Sequence, residues 1–293
     1  RNDAYFNEMV KNLQELQSQF NNTAVAHDVV IPEANLIASD RPDLQRIVKL
    51  AAASYCGTIS LKSWKCKHCL DLGRQVELLM IFDDFLTGSR AILAMDHEMK
   101  TINVVYRGSS NLRNWLDNMR VKLVPLMNVP DAKVHEGFYE CAKALNHKII
   151  PELKDQINYH PTYKVNIVGH SLGGAIAAIS VLEFRQELKI KDSQLQLITY
   201  GEPRIGNLPF ADYFTSQPFP MFRVVHNHDL VPHIPTTEMD FYHRRRMMFI
   251  GSNGDYNCDP DNWADETCTL AQKNWTSILD HLNYYNTNLS IFC

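Results

Sequence analysis

The sequence predicts an α/β fold in which helices flank a mainly parallel central sheet and a short helix forms a lid. Apolar strand-like runs alternate with helical patterns through the middle of the chain, as in sheets built from strand–helix–strand units. A tight turn, Gly-His-Ser-Leu-Gly at 169–173, stands between an apolar run and a helix of small apolar residues. The 293 residues, 45% of them hydrophobic, suffice for one large domain with a sizeable core.

The predicted elements begin at Asp40, which caps a helix that has Pro42 in its first turn and runs to Ala53. Further helices are expected at 137–157, from the tight turn to Leu188, and at 209–216. The strand-like runs are 76–82, 90–95, 101–106, 121–126, 164–168, 195–200 and 221–226. Residues 36–293 are expected to form a single domain.

Residues 1–35 are predicted to be an amphipathic helical extension. Its large apolar residues recur at spacings of three and four, and they are Phe6, Met9, Val10, Leu13, Leu16 and Phe20. Three interpretations stay open: a helix packed on the domain surface, a retained pro-segment that covers an apolar cleft, or a membrane-binding helix.

Charge and hydropathy exclude several classes of protein. The net charge of −4 gives no signal for nucleic-acid binding, and the basic run Arg244-Arg245-Arg246 is interpreted as a solvated strand end. No apolar run reaches the ~18 residues of a membrane-spanning helix. A start at Arg1 favours a processed form, and sequons at Asn21, Asn274 and Asn288 are typical of a secreted protein.

The seven cysteines allow three disulfides and one free thiol. Cys141 lies on the apolar face of a predicted helix, so we expect it to be the buried free thiol. Cys66 and Cys69 could form half of a zinc site, but no second close pair of ligands accompanies them. A local disulfide is favoured, and no metal is expected.

The turn at 169–173 predicts a serine nucleophile. In a Gly-x-Ser-x-Gly turn between strand and helix, the serine hydroxyl projects from the top of the sheet, and the glycines avoid steric crowding. We therefore expect Ser171 to be the nucleophile of an acyl-transfer reaction that requires no cofactor.

A serine nucleophile needs a histidine base and a carboxylate that holds this base, following it in the order Ser, Asp, His. Asp229 comes directly after the strand 221–226, and His281 stands near the C-terminus. These two residues are the predicted acid and base. The alternatives that we rank lower are Asp192 and Asp212 for the acid and His170, His226, His228 and His233 for the base.

The reaction also needs donors for a developing oxyanion. The backbone N–H of Leu172 and both the N–H and the hydroxyl of Ser109 are the predicted donors. Directly afterwards, residues 111–118 form a short amphipathic helix with an exposed tryptophan, which predicts a mobile lid. The predicted lid residues are Leu112, Arg113, Trp115 and Leu116, and a core-packed connector is the alternative.

Together these stretches resemble the secreted fungal triacylglycerol lipases of the class 3 family, from about Leu36 to Cys293. The resemblance rests on 54–56, the pair Cys66 and Cys69, 107–110, 113–115, 133–138, the serine turn, 201–206, 229–232 and 279–282. It implies an α/β-hydrolase-type fold, with Ser171, Asp229 and His281 as the catalytic residues and Ser109 and Leu172 as the oxyanion hole. It also implies the disulfides Cys56–Cys293, Cys66–Cys69 and Cys258–Cys268.

One position departs from the family, because Asn118 stands where an aspartate often steadies the oxyanion serine. We expect weaker priming of Ser109 from this change, with activity retained. We expect a secreted monomer that acts on acylglycerols at a lipid–water interface and makes only peripheral contact with lipid. A feruloyl esterase or other carboxylesterase, a type A1 phospholipase and an inactive binding module are the alternatives.

Overall fold

The computed structural model describes residues 43–117, 121–126, 128–245, 247–251, 254–258 and 277–290. The described strands are β1 (Val76–Asp84), β2 (Ser89–Asp96), β3 (Thr101–Tyr106), β4 (Leu123–Pro125), β5 (Lys133–His135), β6 (Lys164–His170), β7 (Leu195–Tyr200), β8 (Met221–His226), β9 (Met247–Gly251), β10 (Gly254–Cys258), β11 (Asn283–Tyr284) and β12 (Thr287–Asn288). The described α-helices are α1 (Leu44–Ala53), α2 (Thr58–Lys62), α3 (Lys67–Leu72), α4 (Leu112–Asp117), α5 (Glu136–Tyr159), α6 (Leu172–Leu188), α7 (Leu208–Thr215) and α8 (Ile278–His281).

Eight strands form the central sheet, in the order β1-β2-β3-β6-β7-β8-β9-β10. The pairs from β3 to β9 are parallel, whereas β1, β2 and β3 pair antiparallel and β10 pairs antiparallel with β9. The prediction of a mainly parallel sheet is therefore confirmed, with antiparallel strands added at both edges.

Helices cover both faces of this sheet because the central strands are apolar on both sides. Neighbouring residues of a strand point to opposite faces. Ile167 accordingly packs in the cluster that contains α5 and α6, whereas Val168 packs in the cluster that contains α1. None of the described helices has the length and apolarity that a membrane span requires.

Two predicted elements have different bounds. Helix α1 begins at Leu44, because the carboxylate of Asp43 accepts a hydrogen bond from the amide of Arg46 at 2.9 Å and caps the helix. The predicted cap, Asp40, lies outside the described residues. The predicted strand 121–126 shortens to β4, which pairs only with β5 in a separate ribbon and does not join the central sheet.

The cysteine predictions are confirmed where the structure describes them. Cys66 and Cys69 form a disulfide with an S–S distance of 2.07 Å, and Cys141 is free and buried. Burial raises the pKa of the Cys141 thiol to about 11. Cys56 and Cys258 are also disulfide-bonded. Their predicted partners, Cys293 and Cys268, lie outside the described residues, as does the extension 1–35.

Candidate active site

The serine turn joins β6 to α6 in a strained backbone conformation. Ser171 has φ 59° and ψ −131°, a combination that side-chain-bearing residues rarely adopt. A Cβ atom at Gly169 would lie 2.1 Å from the carbonyl oxygen of Gly173, and one at Gly173 would lie 2.2 Å from that of Tyr106. Both glycines are therefore required for the close approach of helix, strand and loop.

Asp229, in the loop after β8, faces His281, the last residue of α8, at one edge of the sheet. The Nδ1 atom of His281 lies 2.9 and 3.0 Å from the two carboxylate oxygens of Asp229. The carboxylate also accepts hydrogen bonds from the amide of Val231 at 2.8 Å and from the hydroxyl of Tyr284 at 2.6 Å. Because Nδ1 donates to the carboxylate, Nε2 of His281 is left as a proton acceptor.

Ser171 and His281 are shielded from water, with 2% and 0% of their surfaces exposed. Both Oγ of Ser171 and Nε2 of His281 are buried and make no hydrogen bond to any residue that the structure describes. In enzymes without substrate, catalytic hydrogen bonds are often long and shorten when substrate binds. The hydroxyl of Ser171 can therefore donate a hydrogen bond and Nε2 of His281 can accept one. Neither atom is engaged by another residue that the structure describes.

The lower-ranked carboxylates and histidines lie elsewhere or make other contacts. Asp192 pairs with Arg185 at the surface, and Asp212 lies 3.4 Å from Arg245. His226 contacts the carbonyl oxygen of Asp280. Among the described histidines, His281 is the one whose ring nitrogen bonds the carboxylate of Asp229.

His170 is buried, as expected for a packing residue, but it also contacts His281. Its ring stacks on that of His281 with centroids 4.5 Å apart, and its Nε2 lies 2.8 Å from the carbonyl oxygen of His281. Its Nδ1 lies 2.7 Å from the hydroxyl of Tyr55. Burial, with a further effect of His281, holds the pKa of His170 well below its usual range. Sequence reasoning missed this contact, together with that of Tyr284, since neither follows from a motif.

Gly201 lies against the Asp229–His281 pair. A Cβ atom at this position would lie 2.8 Å from the Oδ2 atom of Asp229 and 2.8 Å from the ring of His281. The residue also has a positive φ of 57°. Gly201 is the first residue of the segment 201–206, which belongs to the family resemblance but had no predicted role. The lack of space for a side chain beside Asp229 and His281 explains why glycine stands here.

The loop after β3 places Ser109 near the serine turn. A Cβ atom at Gly108 would lie 3.0 Å from the Cβ atom of Ser171, so this loop packs directly on the turn. The hydroxyl of Ser109 donates to the carbonyl oxygen of Asn111 at 2.9 Å and accepts from its amide at 3.2 Å. The predicted donor hydroxyl is therefore turned toward its own loop. The amide of Leu172 lies at the start of α6.

Helix α4 packs against the loop that carries Asp229 and against α8, which ends at His281. Leu112 packs in a cluster with Leu230, Val231 and Ile278, and Trp115 and Leu116 lie against the same cluster. The expectation of an exposed Trp115 was wrong: the ring is half-buried and stacks on Phe138 with centroids 6.4 Å apart. Arg113 is half-exposed, and Asn118 lies outside the described residues.

The basic run 244–246 is only partly at the surface, which corrects the interpretation of a solvated strand end. Arg244 is 4% exposed and forms an ion pair with the buried Glu202. Arg223 lies in the same buried region, and its Nη2 donates to the carbonyl oxygen of Arg244. Desolvation of its guanidinium, with a further effect of Arg244, lowers the pKa of Arg223 to about 9. Arg245 is exposed.

Comparison with known proteins gives one consistent result. Residues 103–239 match the family model described as lipase (class 3). The chain is 33% identical to the lipase of Rhizomucor miehei over 254 residues, which is 85% of this chain and 69% of that protein. It is 31% identical to the lipase of Rhizopus niveus, covering 86% of this chain and 66% of that protein. The chain thus spans about two-thirds of the length of these curated relatives.

Solved structures agree with these sequence matches. The structure of the Rhizomucor miehei triacylglyceride lipase superposes with a TM-score of 0.79 at 32% identity, covering 86% of this chain and 96% of that chain. Another, described as a triacylglycerol lipase whose catalytic centre is a serine protease triad, superposes with a TM-score of 0.79 at 33% identity, with the same coverage. The propeptide complex of the Rhizomucor miehei lipase superposes with a TM-score of 0.80 at 31% identity, covering 94% of this chain and 93% of that chain.

Proposed function

The chain belongs to the class 3 lipase family, and from this membership we propose that it hydrolyses the ester bonds of triacylglycerols with Ser171 as nucleophile. His281 is the general base, Asp229 holds His281 in place, and the amides of Leu172 and Ser109 bind the oxyanion. The observation that carries the proposal is the 2.9 Å contact between Asp229 and Nδ1 of His281, which leaves Nε2 of His281 as an acceptor.

The reaction proceeds in two acyl-transfer steps. Nε2 of His281 accepts the proton of Ser171 as the serine oxygen attacks the ester carbonyl. The imidazolium then protonates the leaving alcohol, which departs and leaves an acyl-enzyme. Water, deprotonated by His281, attacks this ester, and the imidazolium returns the proton to Oγ of Ser171 as the fatty acid leaves. The carboxylate of Asp229 stabilises the imidazolium in both steps.

Substrate reaches Ser171 only after α4 moves. The serine and histidine are almost fully buried, and the apolar side of α4 packs on the residues that flank Asp229 and His281. At a lipid surface, the apolar side chains of Leu112, Trp115 and Leu116 can contact lipid instead of packing on these residues. A relative's structure is described as a model for interfacial activation in lipases. We therefore assign α4 the role of a lid that opens at the lipid–water interface.

Secretion, a monomeric state and a pro-segment role for residues 1–35 are further parts of the proposal. Several relatives are named as secreted lipases. The match to the Rhizomucor miehei propeptide complex covers 94% of this chain, against 86% for the structure of that lipase alone. Cleavage near residue 35 should then raise activity on emulsified substrate, and unchanged activity after cleavage would exclude a blocking role.

The central experiment measures the initial rate of acid release from tributyrin through its solubility limit. Wild-type protein should show a steep increase in rate once droplets form, whereas Ser171→Ala should retain its fold and lose nearly all turnover. A smooth saturating curve below the solubility limit would point to an esterase of dissolved substrates. More than about one percent of the wild-type rate in Ser171→Ala would exclude Ser171 as nucleophile.

A further inference from the structure

The turn between β1 and β2 presents two large apolar side chains to solvent. Phe85 is 96% exposed and Leu86 is 98% exposed, more than any other large hydrophobic residue in the described part of the chain. Most exposed apolar residues occur singly and need no explanation, but adjacent ones at the tip of a projecting turn indicate a contact surface.

This turn lies at the edge of the sheet that carries the catalytic residues. Ala91 of β2 pairs with Tyr106, the last residue of β3, so the β1–β2 hairpin continues beyond the end of β3. The loop with Ser109 follows β3, and Ser171 follows β6, at this same edge. Strands lie about 4.8 Å apart, and the order β1-β2-β3-β6 puts the tip roughly 10–15 Å to the side of Ser171.

Hydrogen bonds hold the turn in one shape. The carboxylate of Asp84 accepts from the amide of Thr87 at 2.9 Å and from its hydroxyl at 2.8 Å. The guanidinium of Arg107 donates to the carbonyl oxygen of Gly88 at 2.9 Å. Since Arg107 begins the loop that leads to Ser109, the hairpin tip is attached directly to the candidate oxyanion loop.

We propose that Phe85 and Leu86 form an anchor that inserts into the uncharged surface of an acylglycerol droplet and turns the catalytic edge toward the lipid. The inference rests on the proposed function, because a lipid surface that meets the open cleft also meets this tip. Leu279, two residues before His281, is 44% exposed and is a further apolar side chain at the edge that carries the catalytic residues.

Charges near the tip favour a neutral lipid over an anionic membrane. Asp83 and Asp84 directly precede Phe85. Asp83 pairs with Arg90 at 2.6 Å, and Asp84 lies 3.7 Å from the ammonium group of Lys148. Arg90 and Lys148 are thus matched by carboxylates, and the guanidinium of Arg107 is engaged by the carbonyl oxygen of Gly88, so burial of the two apolar side chains supplies the attraction.

The test measures adsorption to triolein droplets with the full chain in a Ser171→Ala background, so that the lipid is not consumed. Phe85→Ser/Leu86→Ser should reduce the partition coefficient about tenfold or more, because two large side chains no longer enter lipid. The exchanged pair Phe85→Leu/Leu86→Phe should restore adsorption. Met99→Ser/Tyr159→Ser, at exposed positions of the opposite sheet edge, serves as the matched control and should adsorb like the parent.

Three outcomes would overturn the anchor. The first is that the double serine variant adsorbs within twofold of the parent. The second is that the control variant loses as much adsorption as the double serine variant. The third is that the double serine variant no longer forms a dimer in sedimentation velocity while its adsorption is unchanged. The last result would assign the tip to a second copy of the chain. In proteins that keep Ser171, all three pairs should hydrolyse dissolved p-nitrophenyl acetate within twofold of wild type. Failure of wild type to hydrolyse any ester would reject the proposed function, while the adsorption result would still stand.

Discussion

The imidazole ring of His170 stacks on that of His281 while its Nε2 lies 2.8 Å from the carbonyl oxygen of the same residue. Since a carbonyl oxygen can only accept, Nε2 of His170 carries the proton and Nδ1 accepts from the hydroxyl of Tyr55. One neutral tautomer of His170 therefore satisfies both partners and holds the ring and backbone of His281.

Replacement of His170 by phenylalanine keeps an aromatic ring against His281 but removes both hydrogen bonds. The hydroxyl of Tyr55 and the carbonyl oxygen of His281 then lose their partner in a buried site, which should lower the free energy of unfolding by about 1–3 kcal/mol. Less precise positioning of His281 should lower kcat on a dissolved ester about tenfold with little change in KM. Urea unfolding and steady-state kinetics test both effects, and an unchanged kcat would show that His170 only fills space.

Replacement of Gly201 by alanine should inactivate the enzyme through a local clash. The new Cβ atom would lie 2.8 Å from both Asp229 and His281, so their contact must break. Gly73→Ala is the matched control, because Gly73 also has a positive φ, 79°, but nothing lies within 4 Å of its added Cβ. Both variants should lose about 1–3 kcal/mol of stability from backbone strain, since both glycines have a positive φ. Only Gly201→Ala should lose ester hydrolysis by about a hundredfold, and equal activity of the two would contradict the geometry.

Stability should decrease as the pH falls below about 6.5, because three buried histidines are held neutral. Burial holds the pKa values of His170, His233 and His243 well below the usual range, and Arg204 and Arg223 add to this for the latter two. The unfolded chain therefore binds more protons than the folded chain below pH ~6.5. The stabilisation that these neutral histidines provide is complete above pH ~6.5. It is lost as the pH falls toward their lowered pKa values in the folded state.

Each of these histidines contributes up to about 1.4 kcal/mol per pH unit within that window. Urea unfolding between pH 8 and pH 5 measures the slope. Burial also lowers the pKa of His68, so a fourth histidine adds to the slope, and His243→Gln should reduce it by about one quarter to one third. A slope that stays the same in the variant would mean that His243 is protonated in the folded state.

Removal of one charge from the buried pair of Glu202 and Arg244 should lower the free energy of unfolding strongly. Their side chains are 1% and 2% exposed, so Glu202→Gln leaves an uncompensated guanidinium next to Arg223 and should cost about 3–5 kcal/mol. The surface pair of Arg185 and Asp192 is 35% and 39% exposed, and Asp192→Asn should cost less than about 1 kcal/mol. Comparable midpoints of thermal unfolding for the two variants would contradict the difference in burial.

The order of strands and helices around Ser171 could be predicted, because the hydrophobic period, the turn residues and the buried apolar positions all indicate the same elements there. Residues 164–188 read as an apolar strand, a turn with two glycines and a helix of small residues, and the structure has β6 and α6 at these positions. The predicted start of α1 at Asp40 was wrong, because the carboxylate that accepts from the amide of Arg46 and caps the helix is that of Asp43. The run 121–126 has the alternation of a strand, but only three residues of it find a partner, in β5.

The part of the site that sequence could not supply consists of contacts between distant elements. Tyr284 bonds Asp229, His170 bonds His281, and Tyr55 bonds His170, and each of these hydrogen bonds spans more than 50 residues. Such residues look like ordinary core aromatics in the sequence. The burial of Arg244 was missed for the same reason, because its partner Glu202 lies 42 residues away.

The raised pKa of Cys141 explains how a free thiol can coexist with the Cys66–Cys69 disulfide. With a pKa of about 11, roughly one thiol in ten thousand is ionised at pH 7. Only the thiolate attacks disulfides or reacts with alkylating reagents. The folded protein should thus resist both disulfide scrambling and oxidation at Cys141, and the rate at which a thiol reagent labels this position becomes a direct measure of how often the core opens.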